Sequence, residues 1–401
     1  MLDLNEHEVD RLVAHSWELL RHKYVYYFLR ENCAYRMAEL LSLVIDQPLL
    51  PKLPWSMPAA VFDKIAAIRR DGVPLVREVR RIASRQSRFH DKFRALDPAE
   101  KAVTAKLVDS ALDLQLADYA ALPRTRKTAV IDSLLDYYEY RIVIDRQDSS
   151  LQDAKQKVMI ERIGLPARVD QAKGLTEAAT QVPPPHQATL PFLVRLGGVH
   201  NSRLGGGTEL RIRPAAFDRL AADVGRIPSS HLTVLDLRLV YRDDTLKLRS
   251  LDLVAIENPN LPKTSLPGDG GLAWKFRVGL ESHDLACTGC TVWKLEGGFG
   301  RAVSVSSQAV AFGMLDLAAQ EPHRGSGVLA LIPRVGVAAS PGTHWKTYAT
   351  IGGYSYLNGS RAHGRVLRWE NRFGTSRHWD VRLSYEERAA REVLAAISIY
   401  W

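Results

Sequence analysis

From Pro191 to Trp401 the chain keeps repeating one pattern, in which short stretches of alternating apolar and polar side chains are separated by turn signals. Alternation with period two marks a strand whose two faces meet unlike surroundings. Twelve such stretches can be read, at residues 191–200, 206–214, 231–242, 245–256, 272–283, 291–300, 306–318, 327–338, 343–354, 363–373, 376–387 and 390–401. Each has about the ten residues needed to cross a bilayer at a tilt. Asp243-Asp244, Pro341-Gly342, Asn358-Gly359 and Gly374-Thr-Ser-Arg377 supply turns between them. Residues 188–401 are therefore expected to form an antiparallel β-barrel of about twelve strands.

The residue types on the two faces bear on what surrounds the barrel. In 272–283 one face is Leu272, Trp274, Phe276, Val278 and Leu280, and the other is Ala273, Lys275, Arg277, Gly279 and Glu281. Leu367, Trp369 and Phe373 oppose Arg368, Glu370 and Arg372. Trp379, Val381, Leu383 and Tyr385 oppose Asp380, Arg382, Ser384 and Glu386, and the last stretch sets Val393, Ala395, Ile397, Ile399 and Trp401 on one side. A soluble barrel of about eight strands can fill its lumen with such apolar side chains, and a soluble sandwich can bury them between sheets. A barrel of about twelve strands is too wide for one layer of side chains to fill. The apolar face is then expected to meet lipid and the charged face to line a hydrated, ion-paired lumen. Trp and Tyr near strand ends suit an interfacial girdle. The terminal run to Trp401 resembles the C-terminal sorting signal of outer-membrane proteins. Pro191, Pro214 and Pro333 interrupt the pattern, and Leu246 to Glu257 alternates poorly.

Residues before this region carry helical periodicity. Val9, Leu12, Val13, Trp17 and Leu20 share one face, and a second apolar helix runs from about Ala34 to Ile45. Prolines 48, 51, 54 and 58 break the stretch after it. Tyr24-Val-Tyr-Tyr-Phe28, between the two helices, fits a strand or a helix end. Residues 97–180 read as amphipathic helices, with Asp97 as a cap before Pro98 and a stripe of Leu134, Tyr137, Tyr138 and Ile142. Gln181-Val-Pro-Pro-Pro-His-Gln187 is a stiff linker. The expected organisation is α+β and multidomain: 1–95 mostly helical, 96–187 amphipathic helices and linker, and 188–401 the barrel.

Composition excludes little beyond disorder, since 46% of residues are hydrophobic and 25% charged. The net charge of +9 comes from Lys and Arg spread along the chain rather than gathered in a block. That spread fits an anionic phospholipid or lipopolysaccharide surface better than nucleic acid. Nothing in the pattern calls for a cofactor. There is no run of about 18 apolar residues for a transmembrane helix. The start, Met1-Leu-Asp-Leu-Asn-Glu-His7, lacks the basic and apolar regions of a signal peptide, although a barrel of this type has to be exported.

Three cysteines are present. Cys287 and Cys290 form a Cys-Thr-Gly-Cys tract with no second pair to complete a tetrahedral metal site, which leaves a local disulfide or two free thiols. Cys33 stands just ahead of an apolar helix. A thiol at a helix N-terminus gains nucleophilic character from the dipole, while a buried structural cysteine is the plainer alternative.

The tract Tyr26-Tyr-Phe-Leu-Arg-Glu-Asn-Cys-Ala-Tyr-Arg36, followed by an apolar helix and Leu53-Pro-Trp-Ser-Met-Pro58, resembles the Lnb N-terminal periplasmic domain family. The downstream helices, the linker and His200-Asn-Ser-Arg-Leu-Gly-Gly-Gly207 resemble the same group of multidomain proteins. The resemblance implies a partial papain-like fold of the permuted NlpC/P60 kind, in which a cysteine forms an acyl-enzyme and a histidine upstream of the Asn-Cys tract acts as base. It implies Cys33 as nucleophile, Asn32 as the residue shaping the turn or oxyanion site, and N-acylation of lipoproteins from a phospholipid donor. A cysteine peptidase or amidase acting on cell-wall peptides is the sibling chemistry, and a non-enzymatic barrel or scaffold with an inert Cys33 is the third possibility. His7, His15 and His22 precede Cys33 but fall on a predicted helix, where the family has strands. The expectation is thus an N-terminally shortened catalytic unit whose base lies upstream of Met1, in an outer-membrane protein with a periplasmic N-terminal domain.

Overall fold

The computed structural model describes residues 1–27, 30–50, 56–80, 82–167, 183–323, 327–358 and 363–401. Two compact units result: Met1–Val79 with Pro183–Leu261 and Leu272–Trp401, and Arg80–Val182 with Pro262–Gly271.

The first unit opens with helix α1 (Glu6–Leu19), started by a capping box between Asn5 and Glu8. Helices α2 (Cys33–Leu41) and α3 (Pro58–Ala67) follow, the latter with Pro58 in its first turn. Ala34 and Ala38 of α2 pack with Val44, Leu49, Val61, Ile65 and Leu75 in a small core. The expected stripe on α1 is not core. Leu12 touches that cluster, but Val9, Val13, Leu20 and, at 75% exposure, Trp17 face outward. Tyr24–Tyr27 form neither strand nor helix, and Phe28 lies outside the described residues. The second apolar helix ends at Leu41 instead of Ile45, where Ser42 begins a run of turn.

Twelve antiparallel strands form the barrel: β1 (Leu193–Asn201), β2 (Gly205–Arg213), β3 (His231–Arg242), β4 (Thr245–Asn258), β5 (Ala273–Ser282), β6 (Thr291–Ser306), β7 (Ala309–Gln320), β8 (Leu329–Gly342), β9 (Trp345–Tyr356), β10 (His363–Phe373), β11 (Trp379–Arg388) and β12 (Ala390–Tyr400). Each pairs with the next, and β12 pairs with β1 from Glu392 opposite Asn201 to Tyr400 opposite Leu193, so no sheet edge remains. The β3–β4 hairpin turns on Asp243 and Asp244, both at positive φ, the primed geometry that matches strand twist. Two register breaks explain the poor alternation of β4. Pairing skips Arg249 opposite β3 and Leu253 opposite β5, and each skipped residue reverses the parity of those beyond it. Pro333 pairs with Leu315 of β7 but leaves a gap in the ladder to β9, where a donor would be needed.

The faces fall as the alternation predicted. Trp274 and Phe276 of β5, Leu295 and Phe299 of β6, Val381 of β11 and Ile397 and Ile399 of β12 are exposed on the outside. Asp316, Asp380, Arg382 and Glu296, alternating with such residues, are buried inside. An apolar belt exposed around a closed barrel is tolerable only in lipid, because that area is costly in water and not in hydrocarbon. Trp274, Trp345, Phe373, Trp379 and Trp401 lie exposed near one rim, the place of an interfacial girdle. Leu193 and Tyr400 are paired at that same rim, so both ends of the barrel leave there.

In the second unit α4 (Arg85–Ala95), α5 (Pro98–Asp109), α6 (Ala117–Ala120), α7 (Arg124–Ile144) and α8 (Ser149–Ile163) enclose a core of Phe89, Phe93, Leu107, Ile131, Leu134, Tyr137 and Val158. Asp97 caps α5 in a capping box with Glu100, and Arg126 bonds to both carboxylates. The unit starts at Arg80 and not at residue 96, since Phe89 and Phe93 place α4 in this core. It also takes in the β4–β5 connection, through Leu266 in the core and Asp269, whose carboxylate lies 2.7 Å from His90 Nε2. Burial raises the pKa of Asp269, but hydrogen bonds from His90 and Thr264 outweigh this and hold it below the ordinary range. Of the linker, Gln181 and Val182 lie outside the described residues.

Candidate functional site

Helix α2 begins at an asparagine for a definite reason. Asn32 is extended (φ −85°, ψ −176°), and its side-chain oxygen accepts from Ala34 N at 3.1 Å and Tyr35 N at 3.2 Å. These are backbone donors that the helix cannot satisfy itself. Its amide nitrogen donates to the Ser56 carbonyl at 2.6 Å. One buried side chain, 3% exposed, thus starts the helix and fastens it to the segment leading into α3.

Cys33, the next residue, occupies the first helical position. Ala34 and Ala38 take the inward face, so the helical turn directs Cys33 outward, where it is an exposed free thiol. The plainer reading of Cys33 as a buried structural residue does not hold. One turn on, Arg36 pairs with Glu31 at 2.6 Å and Glu39 at 2.7 Å, and its guanidinium lies over the Tyr24 ring at 4.7 Å. Glu39, by hydrogen bond and charge, and Glu31, by charge, hold that guanidinium above its usual range. Nothing in the motif singles out this trio of Arg36, Glu31 and Tyr24. The available signal is the spacing of Arg36 and Glu39, which places opposite charges on one helix face. The part of the motif at Phe28-Leu29 and at Leu53-Pro-Trp55 lies outside the described residues.

The histidines do not assemble with the thiol. His15 pairs with Glu18 at 3.1 Å, His7 lies in the first turn of α1, and His22 comes after the end of that helix. Among the described residues no histidine is at hydrogen-bond distance from Cys33 Sγ.

Residues 1–79 belong to the same unit as the barrel. Asp63 of α3 pairs at 2.7 Å with Arg377 in the β10–β11 turn, and Arg377 also donates to the His186 carbonyl. That turn is on the rim from which both barrel ends leave. Cys287 and Cys290 lie at the opposite rim, between β5 and β6, and are bonded to one another with Cα atoms 6.0 Å apart. Asp284 brings a carboxylate beside them, but sulfurs tied in a disulfide are not thiolate ligands.

Inside the barrel many of the charges are paired. Lys275 bridges Glu296 (2.6 Å) and Asp316 (3.1 Å), Arg277 bridges Asp252 and Glu281 (2.7 Å each), and Arg334 links Asp316 to Glu257. A cavity of about 200 Å³ remains among these groups.

Known proteins resemble this chain in two separate stretches. The Lnb N-terminal periplasmic domain matches residues 1–64. A domain of unknown function, DUF7840, matches residues 183–401. No curated protein matches the chain. Among solved structures, the NanC porin in a rhombohedral crystal form aligns at 8% identity and a TM-score of 0.34, over 52% of this chain and 100% of that one. The KdgM porin aligns at 7% and 0.33, over 52% and 99%. The outer membrane channel DcaP of Acinetobacter baumannii aligns at 9% and 0.27, over 53% and 96%. The closed strand register and the apolar outer face are those of a barrel that spans a membrane. With a periplasmic domain joined to a closed, apolar-belted barrel, this is an outer-membrane protein whose N-terminal domain lies in the periplasm, and the rim at Leu193 and Tyr400 is the periplasmic one. By the match over 183–401 the chain belongs to the DUF7840 family, and it carries an Lnb N-terminal periplasmic domain segment ahead of that domain.

Proposed function

We propose that residues 1–79 present Cys33 as a nucleophile to phospholipid at the periplasmic leaflet of the outer membrane, and that the chain moves an acyl group onto an amine such as a lipoprotein N-terminus. The observation that carries this reading is the exposure of Cys33 on the first turn of α2 between two buried neighbours, Asn32 and Ala34. A structural cysteine in such a place would be turned inward. The location supports it too, since α3 is fastened to a periplasmic turn of the barrel.

In chemical terms the Cys33 thiolate attacks the ester carbonyl of the lipid. The C–O bond breaks, lysolipid leaves as alcohol after taking a proton, and a thioester remains. The amine then attacks the thioester, forms the amide and returns the thiol. The positive dipole end of α2, where Cys33 sits, suits an oxyanion, and Asn32 is a positioning residue that caps that turn and holds it in place. The general base comes from outside the described contacts of Cys33 in this reading.

Incubation of the protein with phospholipid vesicles, followed by mass spectrometry of the peptide containing Cys33, is the test. The expected result is an added acyl mass that hydroxylamine removes and that Cys33→Ser lacks. A thioester formed from a peptide donor and never from lipid would point to the amidase chemistry instead. Absence of both, with Cys33 no more reactive toward a thiol reagent than a small free thiol, would leave the chain a scaffold.

A further inference from the structure

The barrel's two longest connections, 214–230 and 259–272, are both on the periplasmic rim. The second joins the helical unit. The first turns into the lumen, and we propose that it is a strap that seals the barrel, making this DUF7840 domain a closed membrane anchor and not a pore.

Geometry carries the inference. The strap is rooted between β2 and β3, and its first residues pair with β3 from Ala215 opposite Val234 to Phe217 opposite Leu232. Leu220, 2% exposed, packs against Ala338 of β8 and Tyr348 of β9. In a ring of twelve strands paired in order, β8 and β9 lie straight across from the β2–β3 junction. The strap therefore spans the full lumen. Its far end is fixed by Lys346 of β9, which donates to the Ala221 carbonyl at 2.9 Å and to Asp223 at 2.6 Å. Its flanks are fixed as well: Asp218 accepts from Arg382 of β11 at 3.0 Å, and the Arg219 guanidinium lies over the Tyr348 ring at 4.2 Å.

The strap also holds its own shape. The Arg226 guanidinium donates to the carbonyls of Ala221, Ala222 and Ser230, at 2.5, 2.9 and 2.8 Å. Each is a charge-assisted bond to a group that would otherwise need water. A lumen too wide for wall side chains to fill is closed here by a folded segment with an apolar contact at its tip. Beyond it, ion pairs such as Lys275–Asp316 and Arg334–Glu257 cross the lumen around a cavity of about 200 Å³.

The full chain in liposomes tests this by the uptake of a small neutral sugar. Wild-type protein is expected to leave permeability at the level of empty liposomes. Replacing residues 218–226 by a flexible Gly/Ser stretch is expected to raise it at least tenfold, with a heat-modifiable gel shift showing that the barrel has folded. Should that variant fail to fold, a second variant decides: Leu220→Cys with Ala338→Cys, in a Cys33→Ser background, is expected to form a disulfide on oxidation and to stay impermeable. Sugar uptake through the wild type, a folded strap replacement that stays tight, or failure of the engineered disulfide to form would each overturn the proposal.

Discussion

Replacing Asn32 by alanine removes three hydrogen bonds from one buried position. Two satisfy Ala34 and Tyr35 at the start of α2, and losing a cap of this kind costs about 1–2 kcal/mol. The third leaves the Ser56 carbonyl without its amide donor, at a further cost of about 1–3 kcal/mol where water cannot replace it. The two terms share one side chain, so a combined loss of about 2–4 kcal/mol is expected, confined to α2 and its junction with α3. Hydrogen exchange read by mass spectrometry over 33–41 is the suitable assay, because local opening is what the cap resists. Protection of these amides should fall by roughly 30- to 1000-fold at 1.4 kcal/mol per decade, while the barrel strands keep theirs. Asn32→Ser should lie between, since it can keep an acceptor for the helix but cannot reach Ser56. Protection unchanged within a factor of about three in Asn32→Ala would refute the view that this residue positions the Cys33 turn.

Other outcomes rest on the same structure. Ile397→Arg places a charge on the lipid face of β12 and should cost about 1–4 kcal/mol, according to its depth, read as a weakened heat-modifiable folded band. Stability of the helical unit should decline with acid: the folded pKa of Asp269 is depressed, so its contribution is complete above its unfolded value near pH 3.9 and is lost as pH falls through the folded value. A melting temperature for that unit that does not change between pH 6 and pH 3 would contradict this. Thiol titration of the denatured protein should find one free group before reduction and three after it, given the Cys287–Cys290 bond.

Much of the barrel was legible because alternation and lipid exposure leave a repeating mark on every strand. Trp274 and Lys275, for instance, report their faces by residue type alone. Where a bulge intervenes, as at Arg249 and Leu253, the mark is erased, because parity is a property of register and not of composition. The strap was illegible: Leu220 meets Ala338 and Tyr348 more than a hundred positions away, and nothing local marks a loop that turns inward. At the site, Asn32 and Cys33 stood out through a motif, and helical periodicity then accounts for the outward thiol. Periodicity also misled. The stripe on α1 has the spacing of a core face, yet Val13 and Trp17 are exposed, since spacing shows that residues share a face and not what the face meets.

The central claim is that apolar side chains of the barrel face lipid and the charged ones face a sealed interior. Single cysteines at Ile397 and Ser398, adjacent on β12, introduced into a Cys33→Ser background and labelled with a fluorophore in lipid vesicles, test it most directly. Lipids carrying a quencher in their acyl chains should quench the label at 397 strongly and that at 398 little, because Ile397 is exposed and Ser398 is fully buried. Equal quenching at the two positions, or none at either, would contradict a lipid-facing belt.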